Sequence, residues 1–212
     1  MICIEKTKVM NLDMAMHGAR NPMNSWARSD SYYAPDGSYV LGPKDLDLAF
    51  RLRTAGSDHR KFLRMVFVAA DVTAPIYWWK EYDTYKVATV ANSTSTMHKI
   101  AAKEFSLVDF STDHMTPATK AYMETVVGKL EEIRKHYLET RSKDDWYDLI
   151  QLLPESYNQT RTCTLNYETL INIYYARKDH KLAEWHTYCD WIRSLPYARE
   201  LILGEKPEAS EA

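Results

Sequence analysis

The 212-residue sequence lacks the features of a secreted, membrane-bound or disulfide-linked protein. Its three cysteines, Cys3, Cys163 and Cys189, are odd in number and far apart, with no CxxC pair, so we expect reduced thiols. No stretch approaches the roughly 18 consecutive apolar residues that a membrane helix needs. The first residues, MICIEKTKVMNLD, carry charges where a signal peptide needs an apolar core. These absences predict an untargeted, soluble, cytoplasmic protein with no membrane partner.

The sequence also lacks an excess of either charge, and it lacks the common catalytic motifs. Lys and Arg number 27 against 29 Asp and Glu, which leaves a formal net charge of -2. Such a balance gives no overall field that would draw the protein onto nucleic acid, so no nucleic-acid partner is predicted. The sequence contains no GxxxxGKS/T, GxGxxG, HExxH or GxSxG motif. The seven histidines lack the paired spacing of metal ligands, and no metal site is predicted.

The chain is rich in aromatic residues. Fifteen Tyr and six Trp supply rings that combine an apolar body with a polar tip. Such rings suit pockets for flat ligands and subunit interfaces, and the alternative is plain packing in the core. With 45% apolar residues the chain can bury a core of its own. We expect one domain over residues 1–204 and a disordered polar tail over 205–212.

The first half of the chain predicts one long loop and one short helix. Residues 18–43 are rich in Gly, Pro, Asn, Ser and Asp and show no sustained period, which is typical of a loop. After Pro43, the residues Leu46, Phe50 and Leu52 lie on or near one helical stripe. We therefore expect a short amphipathic helix that stops at Gly56.

The middle of the chain predicts a buried strand, a helix and a polar loop. The segment FLRMVFVAADV is apolar and β-branched, and its second half favours a strand. Thr73 is the expected N-cap of the next helix, with Pro75 in its first turn and its end near Asp83. In TYKVATVANSTSTMHK we expect a short strand running into a polar loop, which is the first place to look for ligand contacts.

The second half of the chain is dominated by helical periodicity. Thr116 and Pro117 are expected to open a long helix with a charged outer face. The segment DDWYDLIQLLP predicts another helix, stopped by Pro154. The alternating run SYNQTRTCT predicts a strand, and we expect helices at about 166–176 and 181–195.

Two of these segments resemble the flavin-dependent thymidylate synthases. In that family an Ala-Pro-Ile helix start leads through Gln-Trp-Phe into the motif Arg-His-Arg-x-x-Ser-x-Asn-Glu-x-Ser-x-Arg. The stretch APIYWWKEYDTYKVATVANSTSTMHK, which starts at Ala74, is similar in register. Glu81 takes the position of the family's Gln. The Arg-His-Arg triplet is replaced by Thr84, Tyr85 and Lys86.

The motif continues into the polar loop with one inserted residue. Thr89 takes the first Ser of the family motif, and Asn92 takes its Asn. Ser93 stands for the Glu, Ser95 for the second Ser and Met97 for the last Arg. Amide, hydroxyl and backbone N–H groups lie close together in this NSTST segment, and that chemistry suits a phosphate. Ordinary solvation of a loop is the alternative.

A second region and a histidine extend the resemblance over roughly residues 57–196. The family's Asn-x-x-x-Leu-x-Asn-x-x-x-x-Arg pattern is matched in NYETLINIYYARKDHKLAEWH, where Glu184 and Trp185 then occupy the following Gln-Trp pair. The segment SDHRKFLRM, which contains His59, is similar to the family segment that carries a flavin-contacting His. The four matched positions of the pattern are Asn166, Leu170, Asn172 and Arg177.

The resemblance implies a fold and a reaction. The implied fold is α/β of the α+β type, in which a mostly antiparallel central sheet is flanked by long helices. The implied reaction is methylation of dUMP to dTMP, with methylenetetrahydrofolate as carbon donor, FAD as redox carrier and NADPH as reductant. The family is built as a homotetramer with active sites between subunits.

The resemblance also assigns roles to individual residues. Arg177 would face the uracil and stabilise negative charge at its N3/O4 edge, which makes it the catalytic residue. From the residues alone, Arg177 could instead bond the last carbonyls of its helix, and Asn166 could be a helix cap. The substrate contacts implied are Glu81, Asn92, Ser93, Ser95 and Arg177. The cofactor contacts implied are His59, Thr84, Tyr85, Lys86, Asn166 and Asn172.

The altered triplet leaves two alternatives open. Replacing Arg-His-Arg by Thr84, Tyr85 and Lys86 removes positive charge from a site that must hold a phosphate and a diphosphate. One alternative is a diverged flavin enzyme that modifies another pyrimidine deoxynucleotide, as Glu81 in place of Gln also suggests. The other is an inactive oligomeric scaffold that has kept the fold and lost the cofactor.

Overall fold

The computed structural model describes residues 2–207, which fall into two compact units. The first unit comprises residues up to 3, 71–84 and 91–162, and the second comprises 4–70, 85–90 and the chain from 163 onward. The expectation of a single domain over 1–204 stays a prediction. Of the tail expected at 205–212, residues 208–212 lie outside the described residues.

The described chain contains two sheets. A four-stranded antiparallel sheet has the strand order β1-β4-β6-β5, and β2 and β3 form a small antiparallel pair. This confirms the expected antiparallel sheet in a mixed fold. The strands are β1 (Cys3–Met10), β2 (Tyr32–Tyr33), β3 (Tyr39–Val40), β4 (Phe67–Pro75), β5 (Val90–Ser93) and β6 (Asn158–Asn166).

Helices account for more of the described chain than strands do, and the expected helices are all present. A π-helical turn, Arg199–Leu203, follows the last of them. The α-helices are α1 (Leu12–Arg20), α2 (Pro43–Thr54), α3 (Ile76–Tyr82), α4 (Pro117–Thr140), α5 (Lys143–Leu152), α6 (Tyr167–Arg177) and α7 (Ala183–Arg193).

Side-chain caps fix the starts of three helices. The hydroxyl of Thr116 accepts from the backbone N–H of Thr119 at 3.3 Å, so α4 begins where the Thr-Pro pair predicts. The Ser142 hydroxyl caps α5. The Asn166 amide oxygen caps α6 by accepting from the N–H of Thr169 at 2.9 Å. These bonds satisfy N–H groups that have no partner within their helix.

Two local predictions are wrong. Thr73 is not an N-cap but lies within β4, where its hydroxyl is 2.7 Å from that of Thr160, and α3 begins only after Pro75. The reason is that a residue before proline is held in extended backbone, which prolongs the strand. The loop expected over 18–43 is also too long, because α1 runs to Arg20 and β2 and β3 form a hairpin within it.

Each unit has an apolar core of its own. In the first unit, α4 and α5 pack around Leu130 and Leu149, and the Trp78 and Trp79 rings are fully buried with their centroids 4.9 Å apart. In the second unit, the fully buried side chains include Trp185. Plain packing, the alternative to ligand contact, therefore accounts for several of the aromatic residues.

Candidate functional site

Arg177, in the second unit, contacts two other residues that the resemblance singled out. Arg177 is the last residue of α6, and its Nε donates a hydrogen bond to the Tyr85 hydroxyl at 2.8 Å. The guanidinium carbon lies 4.6 Å from the centroid of the Trp185 ring and 5.5 Å from that of Tyr85. A cation held over two aromatic faces is attracted by both rings. The structure thus brings together three residues that the resemblance singled out.

The fold places these groups through two contacts along one face of α6. Near the start of the helix, the Thr169 hydroxyl donates to the Val87 carbonyl at 3.2 Å. About two helical turns later, on the same face, Arg177 meets Tyr85. The segment 85–87, which contains two residues of the altered triplet, therefore runs along α6.

The connection between α6 and α7 contributes two further groups beside Trp185. The His180 Nδ1 accepts from the N–H of Leu182 at 3.1 Å, so a neutral ring carries its proton on Nε2. The His180 ring meets the Trp185 ring edge-on, with centroids 6.3 Å apart. Glu184 is only 4% exposed. Sequence reasoning missed His180, although its position three residues after Arg177 is a signal that could have found it.

The two asparagines of α6 differ in what their side chains do. Asn166 is buried, accepts from the N–H and the hydroxyl of Thr169, and donates from Nδ2 to the Arg64 carbonyl at 3.2 Å. The capping alternative for Asn166 is therefore confirmed. Asn172 is exposed on the helix surface. Contact of either amide with a flavin stays a prediction.

The remaining residues of the altered triplet have separate surroundings. In the first unit, Thr84 closes α3, since its N–H and its hydroxyl both donate to the carbonyl of half-buried Glu81, at 3.2 and 2.7 Å. In the second unit, the Lys86 side chain is exposed and forms no ion pair with any residue that the structure describes. Their predicted substrate and cofactor contacts stay predictions.

The end of β5 and the turn that follows it carry the predicted phosphate contacts. Asn92 and Ser93 are exposed at the end of β5, rather than in a loop. The Ser95 hydroxyl accepts from the N–H groups of Met97, at 3.3 Å, and His98, at 2.9 Å. Ser95 therefore shapes a turn, and its own hydroxyl hydrogen is left to donate elsewhere.

A second cation on an aromatic face lies in the first unit and was missed by the sequence reasoning. Arg161 donates from Nη1 to Asp83 at 2.8 Å and from Nε to the Gln159 side chain at 3.0 Å. Its guanidinium carbon lies 4.2 Å from the centroid of Trp79. The charge of Arg161 is compensated by Asp83. In the sequence, Arg161 is only one residue of an alternating strand, so nothing marked it as a site residue.

His59 lies on the wall of the largest of the cavities described here. The cavity has a volume of about 780 Å³ and belongs to the second unit. Its other walls are mostly apolar and include Leu52, Phe62 and Met65. Contact of His59 with a flavin stays a prediction.

The surroundings of Arg177 are chemically suited to a flat heteroaromatic ring. Half-buried Tyr85 offers an aromatic ring, Arg177 offers a guanidinium for ring oxygens, and the exposed Asn172 amide lies on the same helix. Trp185 is fully buried, so its role is to support the guanidinium. A diphosphate needs cations as well, and the exposed Lys86 follows Tyr85 directly in sequence. The residues present thus fit the ring of a flavin or pyrimidine.

Within residues 2–207 the structure provides neither a cluster of metal ligands nor a membrane-spanning helix. No group of three or more His, Cys, Asp or Glu side chains in this range could hold a metal ion. None of the helices in the same range combines the length and apolar character that crossing a membrane requires.

The fold is that of the flavin-dependent thymidylate synthases. Two structures of the enzyme ThyX from Helicobacter pylori, both with FAD and dUMP, match with a TM-score of 0.71 at 19% identity. One covers 97% of this chain and 99% of the other, and the second covers 95% and 97%. The UMP/dUMP methylase PolB from Streptomyces cacaoi, solved with 5-Br dUMP, matches at 14% identity and a TM-score of 0.65, over 97% of this chain and 96% of its own. No protein-family model and no curated protein matches the sequence.

Proposed function

We propose that this protein is a flavin-dependent enzyme that binds FAD and modifies the pyrimidine of dUMP. One observation carries the proposal: at the end of α6 the Arg177 guanidinium is bonded to the Tyr85 hydroxyl and held against the Tyr85 and Trp185 rings. The proposal is supported by the fold, which over nearly the whole chain is similar to enzymes solved with FAD and dUMP or a bromo analogue.

In its finer form the proposal is thymidylate synthesis. The enzyme would methylate dUMP to dTMP, with methylenetetrahydrofolate as the carbon donor and NADPH as the reductant. It would act in the cytoplasm as a homotetramer whose sites lie between subunits. The basis for these details is the resemblance of the residue patterns around Arg177 and Asn92.

Arg177 has the central role in the proposed chemistry. FAD, when bound, supplies the redox chemistry, and the protein orients the pyrimidine and stabilises its charge. The guanidinium would donate to the N3/O4 edge of the base, where negative charge develops. Each such charged hydrogen bond should contribute about 1.5 to 3 kcal/mol when shielded from water. Tyr85 and Trp185 would keep the guanidinium in one plane.

The other predicted contacts complete the proposed site. Ser95 has its hydroxyl hydrogen available for a phosphate oxygen, and exposed Asn92 and Ser93 lie beside it in sequence. Because the family's sites lie between subunits, this phosphate set and the Arg177 set need not come from the same chain. Glu81 is a further proposed substrate contact. The proposed cofactor contacts are His59, Thr84, Tyr85, Lys86, Asn166 and Asn172.

A second candidate function is modification of a different pyrimidine nucleotide. The observation that favours it is the similarity of the fold to a UMP/dUMP methylase, together with Thr84, Tyr85 and Lys86 in place of the Arg-His-Arg triplet. An inactive scaffold is the remaining possibility if no flavin binds.

The test is a flavin titration followed by an activity assay. We expect the purified protein to be yellow or to take up added FAD, with release of FAD on denaturation. Reduced protein with methylenetetrahydrofolate should then release tritium from C5-labelled dUMP. Tritium release from another labelled pyrimidine nucleotide alone would select the second candidate. Failure to take up FAD would overturn both and favour the scaffold.

A further inference from the structure

A second cavity adjoins the one that contains His59, and its character is different. It has a volume of about 390 Å³ and lies between the segment 20–28 and one side of α2, within the second unit. The two cavities share Met23, Ser25 and Leu48 as wall residues. The two cavities are therefore neighbours, and volumes of this size are typical of small-molecule sites.

Four cations line the smaller cavity, and two of them have no counter-charge. Arg20 is paired with buried Asp45, and Arg51 with Asp47 at 2.9 Å. The other two are Arg28 and Lys44, which are exposed and form no ion pair with the residues that the structure describes. The walls therefore carry a net positive charge, which favours an anion.

A buried ion pair fixes the segment that carries Arg28. Arg20 is only 5% exposed and donates to the carbonyls of Ser25, at 3.2 Å, and Arg28, at 3.3 Å. Burial alone would raise the pKa of Asp45, but hydrogen bonds from Ser29, Ser31 and Arg20 outweigh it and lower that pKa. Asp45 thus stays ionised, and this wall of the cavity is preorganised.

Lys44 stands where helix energetics disfavours a cation. It lies in the first turn of α2, whose N-terminal N–H groups attract negative charge. The Asp30 carboxylate already satisfies that end, because it accepts from the N–H groups of Lys44, at 2.9 Å, and Asp45, at 3.0 Å. The Lys44 side chain adds nothing to this cap. A residue that breaks a local rule without a structural return is typical of a binding site.

We propose that the smaller cavity binds the phosphate of an organic phosphate whose apolar body occupies the adjoining cavity. Arg28 and Lys44 would bind the phosphate directly, with Arg20 holding the Arg28 segment in place. The guanidinium of Arg28 suits a phosphate because its donors form a planar fork. This ligand is additional to the dUMP and the FAD of the proposed function. Because His59, a proposed FAD contact, lines the adjoining cavity, FAD would compete with its apolar body there, and its binding is measured on protein freed of FAD.

The probe is 1-naphthyl phosphate, compared with 1-naphthol and inorganic phosphate by calorimetry at low salt. We expect 1-naphthyl phosphate to bind at least tenfold more tightly than either part alone. In the double variant Arg28→Ala/Lys44→Ala this advantage should fall by about tenfold or more, as loss of charged hydrogen bonds predicts. The control Lys120→Ala/Lys206→Ala changes the net charge equally, at exposed residues that line neither cavity.

Three results would overturn the proposal. The first is equal binding of 1-naphthyl phosphate and 1-naphthol, since no phosphate would then be recognised. The second is equal weakening in the Lys120→Ala/Lys206→Ala control, which would reduce the effect to net charge. The third is a parallel loss of FAD uptake in Arg28→Ala/Lys44→Ala, because the cavity would then hold the cofactor. Thermal unfolding of each variant checks that it is folded.

Discussion

The two segments that carry the resemblance to the flavin-dependent thymidylate synthases differ in how far the fold fixes their side chains. In residues 166–185, Arg177 is bonded to Tyr85 and packed on fully buried Trp185. In residues 91–98, Asn92 and Ser93 are exposed, and the Ser95 hydroxyl shapes a turn. The first segment is preorganised, whereas in the second the exposed groups must be fixed by a ligand, which costs affinity.

The largest loss of stability should come from removing the Trp185 ring, on which the Arg177 guanidinium packs. Trp185→Ala deletes a fully buried ring, and we expect a loss of about 3–5 kcal/mol in the free energy of unfolding. Urea unfolding measures the change. The matched control is Trp26→Ala, because Trp26 is 43% exposed and should cost far less. Equal losses would mean that the first segment is no more ordered than the surface.

Arg177→Ala should separate binding from stability. The side chain is only half-buried, so the protein should stay folded, with a fall of about 1–2 kcal/mol in the free energy of unfolding from the lost hydrogen bond and ring contacts. Affinity for dUMP in the presence of FAD should fall by about tenfold or more, since charged hydrogen bonds are lost. Calorimetric titration measures it, with Arg193→Ala on the exposed side of α7 as the control. Unchanged affinity would refute the assignment of Arg177.

Tyr85→Phe tests the orientation of the guanidinium by itself. The variant keeps the aromatic ring and removes the hydroxyl that accepts from Arg177 at 2.8 Å. One hydrogen bond is worth about 0.5–1.5 kcal/mol, so dUMP should bind roughly two- to tenfold more weakly. Tyr122→Phe, at a 71% exposed residue, should have no effect. If both variants bind dUMP like the unchanged protein, the hydroxyl does not position Arg177.

The smallest effect on stability is expected in the second segment. Asn92→Ala changes an exposed side chain and should alter the free energy of unfolding by less than about 0.5 kcal/mol. Affinity for dUMP should nonetheless fall, while affinity for deoxyuridine, which lacks the phosphate, should not. Calorimetry with both compounds measures the difference. An equal change for both would remove Asn92 from the phosphate site.

Local signals in the sequence predicted the helices well because their caps and periods are local. Thr116 before Pro117 marks the start of α4, and its hydroxyl forms the cap. By contrast α1 was not predicted, since its N-cap residue Asn11 has a left-handed backbone and forms no side-chain cap. The first strand was missed because most of its residues are exposed, which leaves no alternation to detect.

The candidate site could be predicted only in part. The spacing of Asn166 and Arg177 identified the helix, and the Asn166 cap is a local bond to Thr169 that the sequence also suggested. The second bond of Asn166, to the Arg64 carbonyl, joins residues far apart in sequence and was not predicted. The bond between Tyr85 and Arg177 likewise joins residues that only the tertiary fold brings together. The periodicity of a sequence cannot predict a contact between residues so far apart in the chain. The sequence therefore showed that the altered triplet has less positive charge. It did not show that Tyr85, a residue of that triplet, accepts a hydrogen bond from Arg177.

The most direct test is a crystal structure of the protein with FAD and dUMP. We predict that the N3/O4 edge of the uracil lies within hydrogen-bond distance of the Arg177 guanidinium, while Nε stays on the Tyr85 hydroxyl and the Trp185 ring stays beneath. A pyrimidine bound elsewhere, with the Arg177 side chain turned into bulk water, would contradict the account.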